Sequence, residues 1–201
     1  QQSLSRTIFP LGGYEKKDIR QMALDSGFEA IAKKSESYEI CFIPDNDYRG
    51  FLRRQVPGLD QRLQGGRFVD ADGREIGRHE GYPFYTVGQR KGLGIATGEP
   101  MFVTRIEPDT NTVVLGREAD LRATAMSVRN VNWGKYDGLK EEREAITKIR
   151  YKHPGSPSLI SQEGDKVKVH FFDPVNAIAP GQSAVFYEGD DVIGGGFIER
   201  R

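Results

Sequence analysis

Cys41 is the one cysteine in the chain, set in Ser35-Glu36-Ser37-Tyr38-Glu39-Ile40-Cys41-Phe42-Ile43-Pro44. Its thiolate is a nucleophile able to carry sulfur, with a reactivity set by local charge and exposure. Polar residues before it and Phe, Ile and Pro after it put the thiol at the junction of a loop and a buried segment. Spacing alone favours a small buried hydrophobe, because no His lies near enough in sequence to form a nucleophile pair. A helix expected after Pro44 would favour an anion at Cys41, whereas Glu36 and Glu39 act in the opposite sense.

A second group of residues presents cations. Gly88-Gln89-Arg90-Lys91-Gly92-Leu93-Gly94 is rich in glycine, yet no Gly-Lys-Ser/Thr follows at Walker A spacing and no helical pattern opens after it. It reads as a tight backbone path offering Gln89, Arg90 and Lys91, or as a plain turn with two solvated cations. Arg49, Arg53, Arg54, Arg62 and Arg67 form one basic stretch, and Lys148, Arg150, Lys152 and His153 another. Taken singly, each is a solvated face. His79, His153 and His170 are scattered, and none stands at metal-ligand spacing from Cys41, so no metal site is expected.

The elements that must carry these groups change character along the chain. Residues 15–26 predict a helix with Ile19, Met22 and Ala23 on one face and Gly27 as its left-handed cap. A second helix is expected after Pro44, capped by Asp45 or Asn46, with Tyr48, Phe51 and Leu52 inward. Beyond Pro57-Gly58 come two hairpins, 66–69 with 74–77 and 101–106 with 112–116. Six strands then follow, at 127–133, 145–151, 158–161, 166–172, 183–187 and 192–199. Their even spacing, and the clean alternation of Lys166-Val167-Lys168-Val169-His170-Phe171, predict a closed barrel. Arg150 and Tyr151 end the second of these strands, and Gln182 sits in a Pro-Gly-Gln turn. Trp133 reads as barrel packing, and Gly194-Gly195-Gly196 as a close backbone approach or a bulge. The expected fold is mainly β with a short helical N-terminal part: 1–56 helical and carrying Cys41, 57–121 a small β-rich central module, 122–201 a C-terminal six-stranded antiparallel β-barrel.

Composition narrows the field. With 201 residues, 37% hydrophobic and 29% charged, the chain can bury a real core. No apolar run reaches bilayer length, and no signal-peptide pattern opens the sequence, so a cytoplasmic protein without a membrane partner is expected. One cysteine makes no intrachain disulfide, which suits a reducing compartment. The formal net charge of zero gives no global attraction for nucleic acid, so any such binding must come from clustered cations. The first residue is Gln1 rather than Met, which reads as part of a longer protein.

Several blocks together resemble one family. Ile40-Cys41-Phe42-Ile43 is similar to the signature around the second catalytic cysteine of the bacterial tRNA-specific 2-thiouridylases. Phe9-Pro10-Leu11-Gly12, the Gly88–Ile95 string, Ile149-Arg150-Tyr151, Ala179–Tyr187 and Gly194-Gly195-Gly196 resemble further blocks, in the family's order. The resemblance implies a tRNA-modifying sulfurtransferase that replaces the C2 oxygen of the wobble uridine with sulfur. Cys41 is then the catalytic residue, taking sulfur as a persulfide from a donor protein. Arg150, Tyr151 and Gln182 are tRNA contacts, with Arg gripping phosphate and Tyr stacking on a base or packing on sugar. Gln89, Arg90 and Lys91 form an active-site loop. The family uses ATP with Mg to activate the uridine oxygen. Its Ser-Gly-Gly-Val-Asp-Ser-type loop and its second cysteine are not in this sequence, so none of this cofactor is expected to bind the chain alone, and the chain alone is expected to be inactive. Residues 1–56 would be the helical tail of the ATP domain. Glu36-Ser37-Tyr38-Glu39-Ile40 departs from the family's Asp-Ser-Thr-Gly-Ile and changes the approach to the thiol. The alternative is a non-catalytic RNA-binding barrel in which Cys41 is structural.

Overall fold

A computed structural model describes residues 2–34, 43, 45, 47–96 and 98–200. Cys41 and its immediate neighbours, including Asn46, lie outside the described residues. The chain divides into two compact units, one ending at Gln55 and the other beginning at Val56.

The first unit is helical. Helix α1 runs Lys16–Asp25 and ends as its glycine implies: Gly27 has φ 82, and the Phe28 N–H reaches back to the Ala23 carbonyl at 2.8 Å. Helix α1 buries none of its residues. A short helix α2, Glu29–Ala32, follows. Helix α3, Tyr48–Gln55, starts at a different cap from the one expected. The Asp47 carboxylate accepts from the Gly50 N–H at 2.9 Å and its carbonyl from the Phe51 N–H at 2.8 Å, so Asp47 is the cap. Asp45 is used one step earlier, accepting from the Asp47 N–H at 3.1 Å. Phe51 and Leu52 are partly buried, while Tyr48 is exposed.

The second unit opens with a short helix α4, Leu59–Arg62, and a four-stranded sheet. Its strands are β1 Gly66–Val69, β2 Glu75–His79, β3 Phe102–Glu107 and β4 Thr112–Gly116, in the order β2-β1-β4-β3. Both predicted hairpins are present, and the parallel pairing of β1 with β4 joins them. Strand β4 is buried along its whole length, with Val113 and Leu115 fully enclosed. Asn111, at φ 48, ties the sheet to what precedes it. Its side chain donates to the Leu63 carbonyl at 2.7 Å and accepts from the Tyr82 N–H at 3.1 Å.

Six further strands close into an antiparallel barrel, as expected: β5 Arg122–Trp133, β6 Arg143–Lys148, β7 Ser156–Glu163, β8 Lys166–Asn176, β9 Ser183–Glu188 and β10 Asp191–Ile198. The closed order is β10-β5-β8-β7-β6-β9. Closure removes the edges that an open sheet would expose. Val167, Val169 and Phe171 point inward in strict alternation and meet Val128, Ile160, Phe186 and Ile193. Trp133 packs partly buried against this core. At Gly194–Gly196 strands β5 and β9 approach so closely that an added Cβ would stand 2.4–2.8 Å from a neighbouring backbone oxygen, and the register shifts between Gly195 and Phe197.

Strand β6 is shorter than the sequence suggests. It ends at Lys148, and Arg150 and Tyr151 lie in the turn after it. The cause sits a few residues on. Pro154 offers no N–H to a ladder, and Gly155, at φ 106, faces Ile146 so closely that a Cβ would fall 2.4 Å from its side chain.

Candidate nucleic-acid interface

The glycine-rich loop is built by its own glutamine. Gln89 accepts from the Thr86 N–H at 3.1 Å and donates to the Lys91 carbonyl at 2.9 Å. The loop is also fastened to β3: Gly88 N–H donates to the Val103 carbonyl at 2.8 Å, and Val103 N–H to the Gln89 carbonyl at 2.9 Å. Positive φ at Gly88, Gly92 and Gly94 lets the chain reverse tightly, and Leu93 is buried as an anchor. Arg90 and Lys91 are left exposed between these fixed points. Gln89 thus shapes the loop and the two cations face solvent. Among the described residues the loop opens no helix, so residues 88–94 lack the aligned amides that hold nucleotide phosphates.

The Arg150 turn is equally fixed. His153 N–H donates to the Arg150 carbonyl at 3.0 Å, and His153 Nδ1 accepts from the Gly155 N–H at 3.2 Å. Burial lowers the His153 pKa, and the charges of Arg150 and Lys148 lower it further, so the imidazole stays neutral and able to accept. The Arg150 guanidinium reaches the carbonyls of Asn176 and Ala177, each at 3.4 Å. Tyr151, 90% exposed, stands at the tip. A large aromatic ring in water on a rigid turn is available for stacking.

Gln182 lies in the turn between β8 and β9. Its N–H donates to the Ala179 carbonyl at 3.3 Å, and its carbonyl accepts from the Ile198 N–H at 2.8 Å. Gln182 lines a groove of about 700 Å³ between the four-stranded sheet and the barrel, together with Tyr82, Thr86 and Val87. The segment 176–182 is where three of these stretches meet. Arg150 bonds to its start, Gly88 packs on Ala177, and Gln182 ends it. The family resemblance pointed to Arg150, Tyr151 and Gln182, whereas nothing in the sequence pointed to the Asn176-Ala177 backbone that Arg150 reaches.

Other charged groups have structural explanations. Glu188 accepts from Lys135, from the Tyr136 hydroxyl at 2.9 Å and from Arg143 at 2.8 Å, and these partners, Lys135 foremost, hold its pKa at about 2. His79 is buried against Phe68 and Tyr85, and its Nδ1 accepts from the Gly81 N–H at 3.0 Å. Burial lowers its pKa. Among the described residues no group of three or more His, Cys, Asp or Glu could hold a metal ion. Nor is any helix among them long and apolar enough to cross a membrane.

The second unit is thus a β protein in which a small four-stranded sheet precedes a closed six-stranded barrel, with a groove between them. Three family profiles match in order: "tRNA methyl transferase HUP domain" over 1–45, "tRNA methyl transferase PRC-barrel domain" over 51–117 and "Aminomethyltransferase beta-barrel domain" over 123–198. The chain is 58% identical over 99% of its length to a protein of Cytophaga hutchinsonii named tRNA-specific 2-thiouridylase MnmA, covering 54% of that protein. It is also 58% identical to one of the same name from Amoebophilus asiaticus, covering 53% of it, and 50% identical over 98% of the chain to one from Salinibacter ruber, covering 52%. The chain belongs to the tRNA-specific 2-thiouridylase family. It spans about half the length of the curated relatives it matches.

Proposed function

We propose that the chain is part of a tRNA 2-thiouridylase acting on the wobble uridine in the cytoplasm. The profile descriptions speak of methyl transfer. The reading as sulfur transfer is carried by the high identity, over nearly the whole chain, to relatives named for thiolation. Residues 1–56 belong with the ATP domain and bring Cys41, 57–121 bring the Gln89–Lys91 loop, and 122–201 bring Arg150, Tyr151 and Gln182. Cys41 takes the outer sulfur of a donor protein's persulfide, the donor's cysteine leaving as thiolate. That sulfur attacks the uridine C2 as the activated oxygen departs. The family's second cysteine, in the part of the relatives that this chain does not span, attacks the Cys41 sulfur, frees the thiocarbonyl and is left in a disulfide with Cys41. Activation of the leaving oxygen by ATP and Mg falls to the part of the relatives that this chain does not span, since the described residues offer no nucleotide cradle. Arg150 and Tyr151 hold the RNA by charge and stacking, with Gln182 at the groove.

The test is 2-thiouridine formation by the complete protein with Cys41→Ser. A hydroxyl cannot carry transferable sulfur, so thiolation should vanish while tRNA binding and the thermal melt persist. Near-normal 2-thiouridine from the folded variant would remove Cys41 from the chemistry and favour the non-catalytic RNA-binding reading.

A further inference from the structure

Between β8 and β9 stands a residue whose backbone is out of keeping with its type. Ala177 has φ 57, in the left-handed region where a Cβ crowds the chain and glycine alone sits freely. Elsewhere the described residues at such angles are glycines, as at Gly181, four residues on, or the asparagines Asn111 and Asn130. Strain of this kind persists where the surroundings over-determine it. The surroundings of Ala177 are specific. Its N–H donates to the Leu121 carbonyl at 3.1 Å, at the entrance to β5. Its carbonyl accepts from Arg150 at 3.4 Å. Its Cβ lies against Gly88, where a Cβ on the glycine would stand only 2.7 Å away. One alanine thus touches the foot of the cationic loop and the guanidinium of the Arg150 turn.

We propose that Ala177 is a positioning residue: its methyl group is a wedge that seats the Gln89–Lys91 loop against the barrel, so that Arg90, Lys91 and Arg150 meet tRNA as one preset surface. The inference rests on the tRNA-binding reading above and adds to it the device that aligns the contacts. The missing Cβ at Gly88 is the complementary half, since any side chain there would push the loop off the wedge. The two segments in contact also line the groove, through Thr86 and Val87 on one side and Ile178 and Ala179 on the other, so the wedge sets its width. Preset contacts spare the binding step the cost of ordering a loop.

The experiment uses the complete protein with Ala177→Gly and Ala177→Ser, each alone and with Arg90→Ala. Glycine suits the backbone angle and removes the wedge, whereas serine keeps the Cβ. Ala177→Gly should melt within a few degrees of wild type, keep kcat at saturating tRNA, and raise KM for tRNA roughly three- to tenfold. Ala177→Ser should match wild type. Arg90→Ala should weaken tRNA binding clearly in wild type and much less in Ala177→Gly, although residues 90 and 177 are not neighbours in sequence. An unchanged KM in the glycine variant, an equal cost of Arg90→Ala in both backgrounds, or early melting with kcat and KM damaged together would each overturn the positioning role. If Arg90→Ala and Arg150→Ala both leave tRNA affinity intact at low salt, the tRNA-binding reading itself fails and the wedge falls with it.

Discussion

Arg150 clasps its own turn to the Asn176-Ala177 backbone, and in the proposed reading the same side chain meets the ligand. Its guanidinium spans to two carbonyls at 3.4 Å, long contacts that leave most of its donor capacity unused. A phosphate arriving there would find a cation already in place. Replacing Arg150 by Ala in the complete protein should weaken tRNA binding by about 1–3 kcal/mol, the range for a charge-assisted contact. The loss should shrink as salt rises, because phosphate binding releases counterions. Filter binding over a salt series would check it, and unchanged affinity at low salt would return Arg150 to the role of a turn clasp. The roles proposed for Cys41, Arg150 and Tyr151 came from the family resemblance, since spacing alone reads Cys41 as a buried hydrophobe and Arg150 as a solvated cation. Ala177 was not legible, because its contribution is a backbone angle and a methyl group. Gln89 was legible as a loop residue, but its inward use as a double hydrogen-bond partner depends on Thr86 and Lys91.

At the scale of elements, the barrel is where sequence and structure agree most closely. Six strands punctuated by turns, with alternation in β8, leave closure as the solution that hides every edge. The boundaries that moved did so for local reasons: Pro154 and Gly155 stopped β6, and Asp47 rather than Asp45 found the free amide of α3. The glycines of β10 are the barrel's most exacting demand. At Gly196 a Cβ would lie 2.4 Å from the Arg129 carbonyl oxygen and 3.0 Å from Val128. Both neighbours belong to β5, and a backbone atom cannot step aside as a side chain can. Gly196→Ala should therefore destabilise the barrel by about 1–3 kcal/mol, the usual cost of overpacking. For a chain of this size that is a fall of several degrees in Tm, roughly 2–4 °C per kcal/mol. A thermal melt of the 201-residue chain checks it, and an unchanged Tm would mean that β10 can part from β5 without loss.

For the whole molecule, charge decides two behaviours. The first is acid stability. His79 and His153 both titrate below their ordinary 6.5 when folded, chiefly through burial. The unfolded chain therefore takes up protons first, so their contribution is complete above 6.5 and declines as pH falls toward the folded values. Glu188, held at about 2 against an ordinary 4.5 by Lys135 and its other partners, acts in a lower window: its contribution is present above 4.5 and lost as pH falls through about 2. A plot of Tm against pH should show two declines, and a flat line between 6.5 and 4.5 would exclude a neutral, buried His79.

The second behaviour is ligand choice. Net charge is zero, so on the proposed reading attraction for RNA has to come from the local placement of Arg90, Lys91 and Arg150. Such a surface holds a spaced series of phosphates. A nucleotide triphosphate needs something else, several backbone amides converging on one point at a helix N-terminus. Loop 88–94 supplies no helix, and its Gln89 side chain occupies the loop's own polar groups. The 201-residue chain should accordingly bind tRNA in a salt-sensitive way, losing roughly tenfold or more between about 50 and 200 mM salt if two or three phosphates are engaged. It should show no micromolar affinity for ATP with Mg. Calorimetry with each ligand separates the cases. Micromolar ATP binding would require a phosphate site that this loop does not make, and salt-insensitive tRNA binding would move recognition from the cations to the exposed ring of Tyr151.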